Sequence, residues 1–396
     1  MSWFQEDEKL ARRISPLWST MRFCEPGCAC REDARFVESI EIRARFGKPG
    51  PINPMASNVR HPYEGIHWET VDQYVANLHC HTMMSDGRAM PDEMIECYVD
   101  AGYDVLALTD HDSYHKTREG EPEIEPTSEP TWPWSDWLDT TPSRTWSQEG
   151  METAARYDDL GNGVLAIRGN EIKPSPELVS LFNDCGYLNA ERAREERLEF
   201  IAARDGLSFW AHPMDYLPGG RWDDHFDDSF ERGVEVYAEH LASFQHNCGV
   251  EMQAKDPAMA LKLYEELLEK LGPAEDVVLF ANDDAHRAGL DDDVMFNLIF
   301  APELTAPAIY EALQAGRMLV GERSDPLPRI HEISVDESRE VIRVDAEGYD
   351  SISWVCDGET VMTGPRYEYG SVEGATIRFE LRTAGSTLYS QAFRAQ

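Results

Sequence analysis

Long apolar runs are missing from this chain of 396 residues. No stretch is long and uncharged enough to cross a bilayer as a helix. The first residues, Met1-Ser2-Trp3-Phe4-Gln5-Glu6-Asp7-Glu8, lack the basic-then-apolar order of a secretion signal. A cytoplasmic protein is expected. Positive charge is also in short supply: 36 Lys plus Arg face 74 Asp plus Glu, a formal net charge of -38. A field of that sign repels nucleic acid and anionic membranes, so the expected partner is a small molecule, with no nucleic acid and no membrane. Oligomeric state is not legible. Cysteine is sparse, and of the eight only Cys24, Cys28 and Cys30 cluster. Three thiols fall short of a closed four-ligand zinc site, and reduced thiols are expected. Internal repeats are absent, and the one biased tract spans 113–163, rich in Pro, Glu and Thr and holding Trp132, Trp134, Trp137 and Trp146.

What is present is a series of chemistry-bearing residues at the ends of apolar runs. His79-Cys80-His81 closes Val75-Ala76-Asn77-Leu78, Ser85-Asp86-Gly87 follows, and Thr109-Asp110-His111-Asp112 closes Tyr103 to Leu108. Alternate strand residues share a face, so His79 and His81 can put two imidazoles on one ion while Cys80 packs on the other side. Asp86 and Asp110-His111 add further oxygen and nitrogen donors, a mixture suited to zinc, manganese or iron rather than calcium. Three more runs end in the same way: Gly169-Asn170-Glu171, His212-Pro213, and Asp283-Asp284-Ala285-His286. Short β-branched or aromatic runs bounded by Gly, Pro or Asn read as buried strands.

Helical spacing separates the strands. Pro91 suits a helix N1 position, Met94, Ile95, Tyr98 and Ala101 form an apolar face, and Gly102 ends it. Charge-laced helical segments are expected from Asn189 to Asp205 and from Pro257 to Leu271. Alternating strands and helices imply a parallel sheet with crossovers. Polar groups at several strand C-termini favour a barrel with its active face at that rim. A further strand is expected over Gly233 to Tyr237.

In six ordered motifs the chain resembles the PHP (polymerase and histidinol phosphatase) family of metal-dependent phosphoesterases. They are His79-x-His81, Ser85-Asp86-Gly87, Thr109-Asp110-His111-Asp112, Gly169-Asn170-Glu171, Ala211-His212-Pro213 and Asp284-Ala285-His286, between about Asp72 and Glu322. The resemblance implies an α/β fold, a distorted seven-stranded (β/α)7 TIM-like barrel, holding two or three divalent ions. It assigns His79, His81, Glu171 and Asp284 to one ion, with Glu171 bridging to a second ion bound by His212, and Asp86, His111 and His286 to a third. Family members usually supply another His between the Glu and Ala-His-Pro motifs, and this chain has none from Lys173 to Ala211. His240 and Glu177 are the substitutes to consider.

The chemistry such a site supports is hydrolysis of a small-molecule phosphate ester. A water shared by two cations loses its proton near neutral pH, and the same cations neutralise developing phosphoryl charge. Asp284, His212 or Asp112 would deliver a proton to the leaving oxygen. Lys173, Arg221 and Arg287, just after ligand motifs, would hold the phosphate. Asp110 and Asp112 would orient ligands. The alternatives are hydrolysis of a carboxylic ester, carbamate or amide, which the aromatic tract at 113–163 would suit as a lid, and a non-catalytic metal-binding scaffold.

The chain is longer than one such barrel. Residues 1–70 read as an N-terminal extension packing on it, 71–322 as the barrel with its insertion at 113–163, and 323–396 as a small antiparallel β-domain. In the last part Ile330 to Val335, Glu340 to Val344, Ser351 to Val355 and Ala375 to Leu381 alternate apolar and polar residues between Asp-Gly and Glu-Gly turns.

Overall fold

Strand β2 (Asp72–Asn77) carries the His79-Cys80-His81 segment and sits inside the larger of two principal sheets. The computed structural model describes residues 59–83, 85–111, 163–167, 169–172, 176–182, 198, 201, 206–218, 220, 229–243, 248–272, 277–370 and 374–395. Contacts divide the chain into two units, Met1–Ala56 and Ser57–Gln396. The first unit, the tract at 113–162, most of 189–205, and Asp112, Lys173 and Arg221 lie outside the described residues.

On one side of β2 the partners are parallel: β3 (Val105–Leu106) and then β4 (Leu165–Ala166). On the other they are antiparallel: β10 (Met295–Ala301), then β11 (Met318–Glu322). The β2 to β3 crossover is α1 (Pro91–Asp100). Pro91 stands at its start, Glu93 accepts the Met90 amide at 2.8 Å, and Met94, Ile95 and Tyr98 form the buried face. Gly102, at φ 79°, turns the chain out of the helix.

A five-stranded sheet holds the other ligand-bearing segments in the order β5 (Gly169–Ile172), β6 (Leu178–Leu181), β7 (Leu207–Trp210), β8 (Cys248–Met252), β9 (Val278–Ala281). The β7–β8–β9 pairs are parallel, as expected from the βα alternation, whereas β5, β6 and β7 pair antiparallel. Between β8 and β9 runs α3 (Pro257–Leu271), over the expected span. Asp256 accepts the Met259 amide at 3.1 Å, and Gly272 follows at φ 78°.

The segment Gly233 to Tyr237, expected as a strand, lies within α2 (Phe230–Ser243). Its alternation is real but brief, and the buried residues Val234, Tyr237 and Ala238 recur at helical spacing. The strand of that region is β8.

The described ladders form sheets that do not close into a barrel. Two single parallel bridges, Cys80 to Ala285 and His111 to Glu171, join the five-stranded sheet to the larger one at the end where the ligand residues lie.

Beyond Glu322 come β12 (Arg329–Asp336), β13 (Val341–Glu347), β14 (Ser351–Cys356), β15 (Glu359–Thr363), β16 (Arg366–Glu368), β17 (Thr376–Arg382), β18 (Thr387–Ser390) and β19 (Phe393–Ala395). Strands β12, β13 and β16 form a separate sheet, whereas β18 pairs with β11 and thereby extends the larger one. At its far edge β1 (Val59–Arg60) pairs with β19. Against the edge of β9, Gln391 behaves like a peptide group: its Oε1 accepts the Leu279 amide at 2.9 Å and its Nε2 donates to the Leu279 carbonyl at 2.7 Å.

Period-two alternation divides the core. Ala76, Leu78, Val105 and Ala107 join Phe209, Trp210 and Leu279 in one apolar cluster, while Val75, Cys80, Leu106 and Leu108 join Trp354, Phe379 and Leu381 in another. The larger sheet is covered on both faces here, which is why its central strands read as near-continuous apolar runs. No helix among the described residues is long and apolar enough to cross a membrane.

Candidate metal centre

Hydrogen bonds to backbone and side chains register the ligand-bearing segments against one another. The His81 amide donates to the Ala285 carbonyl at 2.7 Å, and the Asp284 amide to the His79 carbonyl at 3.0 Å. The Glu171 amide donates to the Thr109 carbonyl at 3.0 Å, which sets Glu171 beside His111. Asn282 accepts the Leu78 amide at 2.9 Å. Neighbouring Asp283 accepts the Met295 amide at 2.6 Å and the Tyr98 hydroxyl at 2.9 Å. Burial pushes the Asp283 carboxyl up to about 7 despite these donors. Both His212 (φ 30°) and Asp284 (φ 53°) have positive φ, an uncommon backbone choice that sets side-chain direction at two strand ends.

The side chains converge as the motif order suggests. His79 Nε2 lies 3.3 Å from Asp284 Oδ1 and 3.6 Å from Glu171 Oε1, and His81 Nε2 lies 3.2 Å and 3.1 Å from Asp284 Oδ1 and Glu171 Oε2. Asp86 stands 3.3 Å from both His111 Nε2 and His286 Nε2. His212 Nε2 lies 2.9 Å from Glu171 Oε1 and 3.2 Å from Glu177 Oε2. Four overlapping groups have ligand atoms all within 4.8 Å of one another: His79, His81 and Glu171; His81, Asp86 and His111; His81, Asp284 and His286; and Glu171, Glu177 and His212. Glu171 belongs to two of them.

Three histidines have their tautomers set from behind. His79 Nδ1 donates to Glu251 Oε1 at 2.9 Å, and His286 Nδ1 to the Asp284 carbonyl at 2.8 Å. Ser85 Oγ donates to Asp110 at 2.6 Å and stands 3.3 Å from His81 Nδ1, which can donate to it. Each Nε2 is then left with a lone pair facing the cluster. Asp110 also accepts the Thr82 amide and hydroxyl, each at 2.8 Å, so it pins the turn that presents Asp86.

The donor set fits divalent ions. Among the described residues Glu171 Oε2 and Asp284 Oδ1 are buried without a hydrogen-bond donor, although imidazole nitrogens surround both. Buried carboxylate oxygens in that condition are costly unless a cation meets them. Burial opposes charge throughout the site, yet the carboxylates Glu251, Asp284 and Glu171 hold His79 well above the ordinary imidazole value. His81, His111 and His212 are raised as well, and His286 reaches about 9, chiefly through Asp86 and Asp284 once burial is overcome. Reciprocally, and again against burial, the imidazoles depress Glu171, Asp284 and Asp86. The whole cluster is poised for positive charge.

All eight expected ligands, His79, His81, Asp86, His111, Glu171, His212, Asp284 and His286, fall in these groups. Glu177 lies beside His212, Oε2 3.2 Å from its Nε2, and the Tyr216 hydroxyl donates to it at 3.1 Å. His240 lies on helix α2 rather than after a strand. Arg287 is engaged with Asp291, Nε to Oδ2 at 2.9 Å.

Glu251 is a residue the sequence reading missed. Buried on β8, it accepts from His79, from the His212 amide at 2.7 Å, from Asn282 at 3.0 Å and from Gln253 at 3.3 Å. Its signal was a lone carboxylate between Val250 and Met252. Lys255 was missed too: it pairs with Asp215 at 2.5 Å and lines a crevice with His212, Glu251 and Gln253.

No family model matches the chain. Among curated proteins it is similar to the DNA polymerase/3'-5' exonuclease PolX of Bacillus subtilis (strain 168), 24% identical over 262 residues, which is 65% of this chain and 43% of that protein. The match thus spans less than half of the relative's length. Among solved structures it is similar to a two-domain protein from Bacteroides vulgatus ATCC 8482 containing a predicted PHP-like metal-dependent phosphoesterase, with 15% identity, a TM-score of 0.45, and 82% and 96% of the two chains covered. It is also similar to an amidohydrolase from Chromobacterium violaceum, with 14% identity, a TM-score of 0.35, and 55% and 89% covered. The chain resembles PHP-like metal-dependent phosphoesterases.

Proposed function

We propose that this chain is a metal-dependent hydrolase that cleaves a small-molecule phosphate ester. The observation that carries this reading is the pair of donorless buried oxygens, Glu171 Oε2 and Asp284 Oδ1, set among the imidazoles of His79, His81 and His111. Two or three ions, zinc, manganese or iron, would be held by His79, His81, Asp86, His111, Glu171, His212, Asp284 and His286, with Glu177 completing the set around His212. Such ions supply an acidified water and neutralise charge developing on phosphoryl oxygens.

The chain's own residues do the remaining work. Glu251, Ser85 and the Asp284 carbonyl keep Nδ1 of His79, His81 and His286 protonated, so that Nε2 faces the ions. Asp284 Oδ2, which takes a hydrogen bond from Gln253 at 3.3 Å, is an atom that can hold a proton bound for the leaving oxygen, a role shared with His212 and Asp112. Lys255 joins Arg287, Lys173 and Arg221 as a cation for the substrate's phosphate. The two bridges between sheets support a distorted barrel rim as the frame of the site.

The negative charge of the chain favours a small substrate in the cytoplasm over a polynucleotide, even though the relative from Bacillus subtilis is named for polynucleotide chemistry. The test compares p-nitrophenyl phosphate with p-nitrophenyl acetate, using protein purified without chelator, its metal content measured by mass spectrometry. Phosphate release that falls to background in a His79→Ala, His81→Ala variant is expected. Acetate hydrolysis alone would shift the reading to a carboxylic ester, carbamate or amide substrate, and metal-free, inactive protein after manganese or zinc addition would sink both.

A further inference from the structure

A second cluster of cations lies apart from the ligands. Arg60 of β1, Arg317 after helix α4 (Ala306–Ala315) and Arg394 of β19 line one cavity of about 250 Å3, together with His61, Gln314 and Gln391. None of its lining residues is a candidate metal ligand. Among the described lining residues Glu64 is the one carboxylate. In a chain with 74 acidic and 36 basic side chains, three guanidinium groups around one cavity invert the overall balance.

The state of Arg317 is the telling detail. Two enclosed arginines elsewhere lie against carboxylates: Arg378 is 2.7 Å from both Glu265 and Glu380, and Arg323 Nε is 3.0 Å from Asp293, although that nitrogen makes no hydrogen bond among the described residues. Arg317 is half-buried and forms no ion pair among the described residues, and its Nε is buried without an acceptor. Arg394 is buried and donates Nη2 to the Leu268 carbonyl at 2.9 Å. Capping of α3 accounts for that one contact. It leaves Arg317 unexplained.

The remaining lining favours a compact ligand. Gln391 is committed at both ends to Leu279, and Pro62, Leu268, Val277 and Ala315 supply apolar wall. His61 stacks on Phe393 at 5.4 Å between ring centroids, and its Nδ1 is buried with no partner among the described residues. Burial holds this imidazole at about 4, with Glu337 pulling the other way, so at neutral pH it offers a hydrogen-bonding nitrogen without adding charge.

We propose that this cavity binds a small dianionic oxyanion, a phosphate group free or carried on a compact organic molecule. Guanidinium forks match the geometry of phosphate oxygens, and several together favour a dianion over a monoanion. The site stands independently of the metal centre and of the activity proposed for it.

Calorimetric titration of the full chain with inorganic phosphate tests the idea, with acetate as the monoanion control. The His79→Ala, His81→Ala variant, treated with chelator, removes phosphate binding at the metal centre. In that background phosphate should still bind, and acetate at least about tenfold more weakly. Adding Arg317→Gln should weaken phosphate by at least about tenfold, and Arg317→Lys by less. Circular dichroism and melting temperature verify folding, and Arg60→Gln carries the same expectation should Arg317→Gln fail to fold. No phosphate binding in the metal-site background, or unchanged affinity in a folded arginine variant, overturns the proposal.

Discussion

The Nε2 atoms of His79 and His81 lie 3.1 Å apart, facing each other across the site. With the Nδ1 atoms directed to Glu251 and Ser85, both Nε2 atoms present lone pairs, and two lone pairs at that distance repel unless a cation or a shared proton lies between them. Replacing either histidine by alanine should therefore lower metal content by one ion or more per chain. It should also abolish most of the rise in melting temperature on adding zinc or manganese. Undiminished metal content in both single variants would rule out their role as ligands.

The pH dependence has a definite sign. In metal-free protein the folded state raises the histidines, His286 to about 9, above an unfolded value of about 6.5. That contribution is complete below about 6.5 and fades as pH climbs through about 9. The depressed carboxylates Glu171, Asp284 and Asp86 contribute above about 4, and their share is lost in acid. Metal competes with protons for the same nitrogens. The gap in melting temperature between metal-loaded and chelator-treated protein should therefore widen from about pH 6 to about pH 9. Scanning calorimetry checks this, and a narrowing gap would contradict it.

Glu251→Gln preserves shape but replaces an acceptor oxygen by a donor. One amide face must then oppose either His79 and Asn282 or the His212 amide and Gln253. Metal affinity should fall roughly 10- to 100-fold, read by competition with a chromophoric chelator. Folding stability should fall by about 1–3 kcal/mol, read by urea unfolding of metal-free protein.

Gly87→Ala probes the turn that carries Asp86. A Cβ there would lie 2.7 Å from the carbonyl carbon and oxygen of His81 and from the Thr82 nitrogen, all backbone atoms with no freedom to swing away. Displacement of Asp86 from His111 and His286 should follow, with a loss of metal-stimulated activity larger than the loss of thermal stability. Wild-type metal content in the purified variant would show that the turn absorbs the methyl group.

Lys255 and Arg287 should differ in kinetics. Both cations are paired, Lys255 with Asp215 and Arg287 with Asp291, but Lys255 lies beside His212 and Glu251, so Lys255→Ala should raise KM several-fold with a smaller change in kcat. Arg287→Ala should move KM less. Steady-state kinetics on a phosphate ester decides, and the reverse ranking would return the phosphate to Arg287.

Most of the clustered residues were legible because they end apolar runs, whereas Asp86, on a turn, was picked out by the motif order of the family that the chain resembles. The helix at Pro91 was legible through its N1 proline and closing Gly102, and the one from Pro257 through its charge-laced helical spacing. Glu251 was hidden because Gly233 to Tyr237 alternates over too few residues to separate strand from helix, while the true strand, Cys248 to Met252, is short and carries a carboxylate within it. The antiparallel β5–β6–β7 segment was hidden for another reason. Gly169 to Glu171 reads as the end of β4 when it is a strand of its own, and strand direction is set by tertiary pairing that a linear pattern does not encode.

Gln391 returns as a matter of protein engineering. By occupying both hydrogen-bonding groups of Leu279, a residue near the end of the C-terminal strands seals the open margin of the strand that leads to Asp284 and His286. Trimming the chain at 322 to obtain a minimal catalyst would strip that seal and β11's partner β18 together. The shortened protein would offer two bare strand margins to neighbouring molecules, and its first failure would be clumping in the test tube, before any lapse in chemistry.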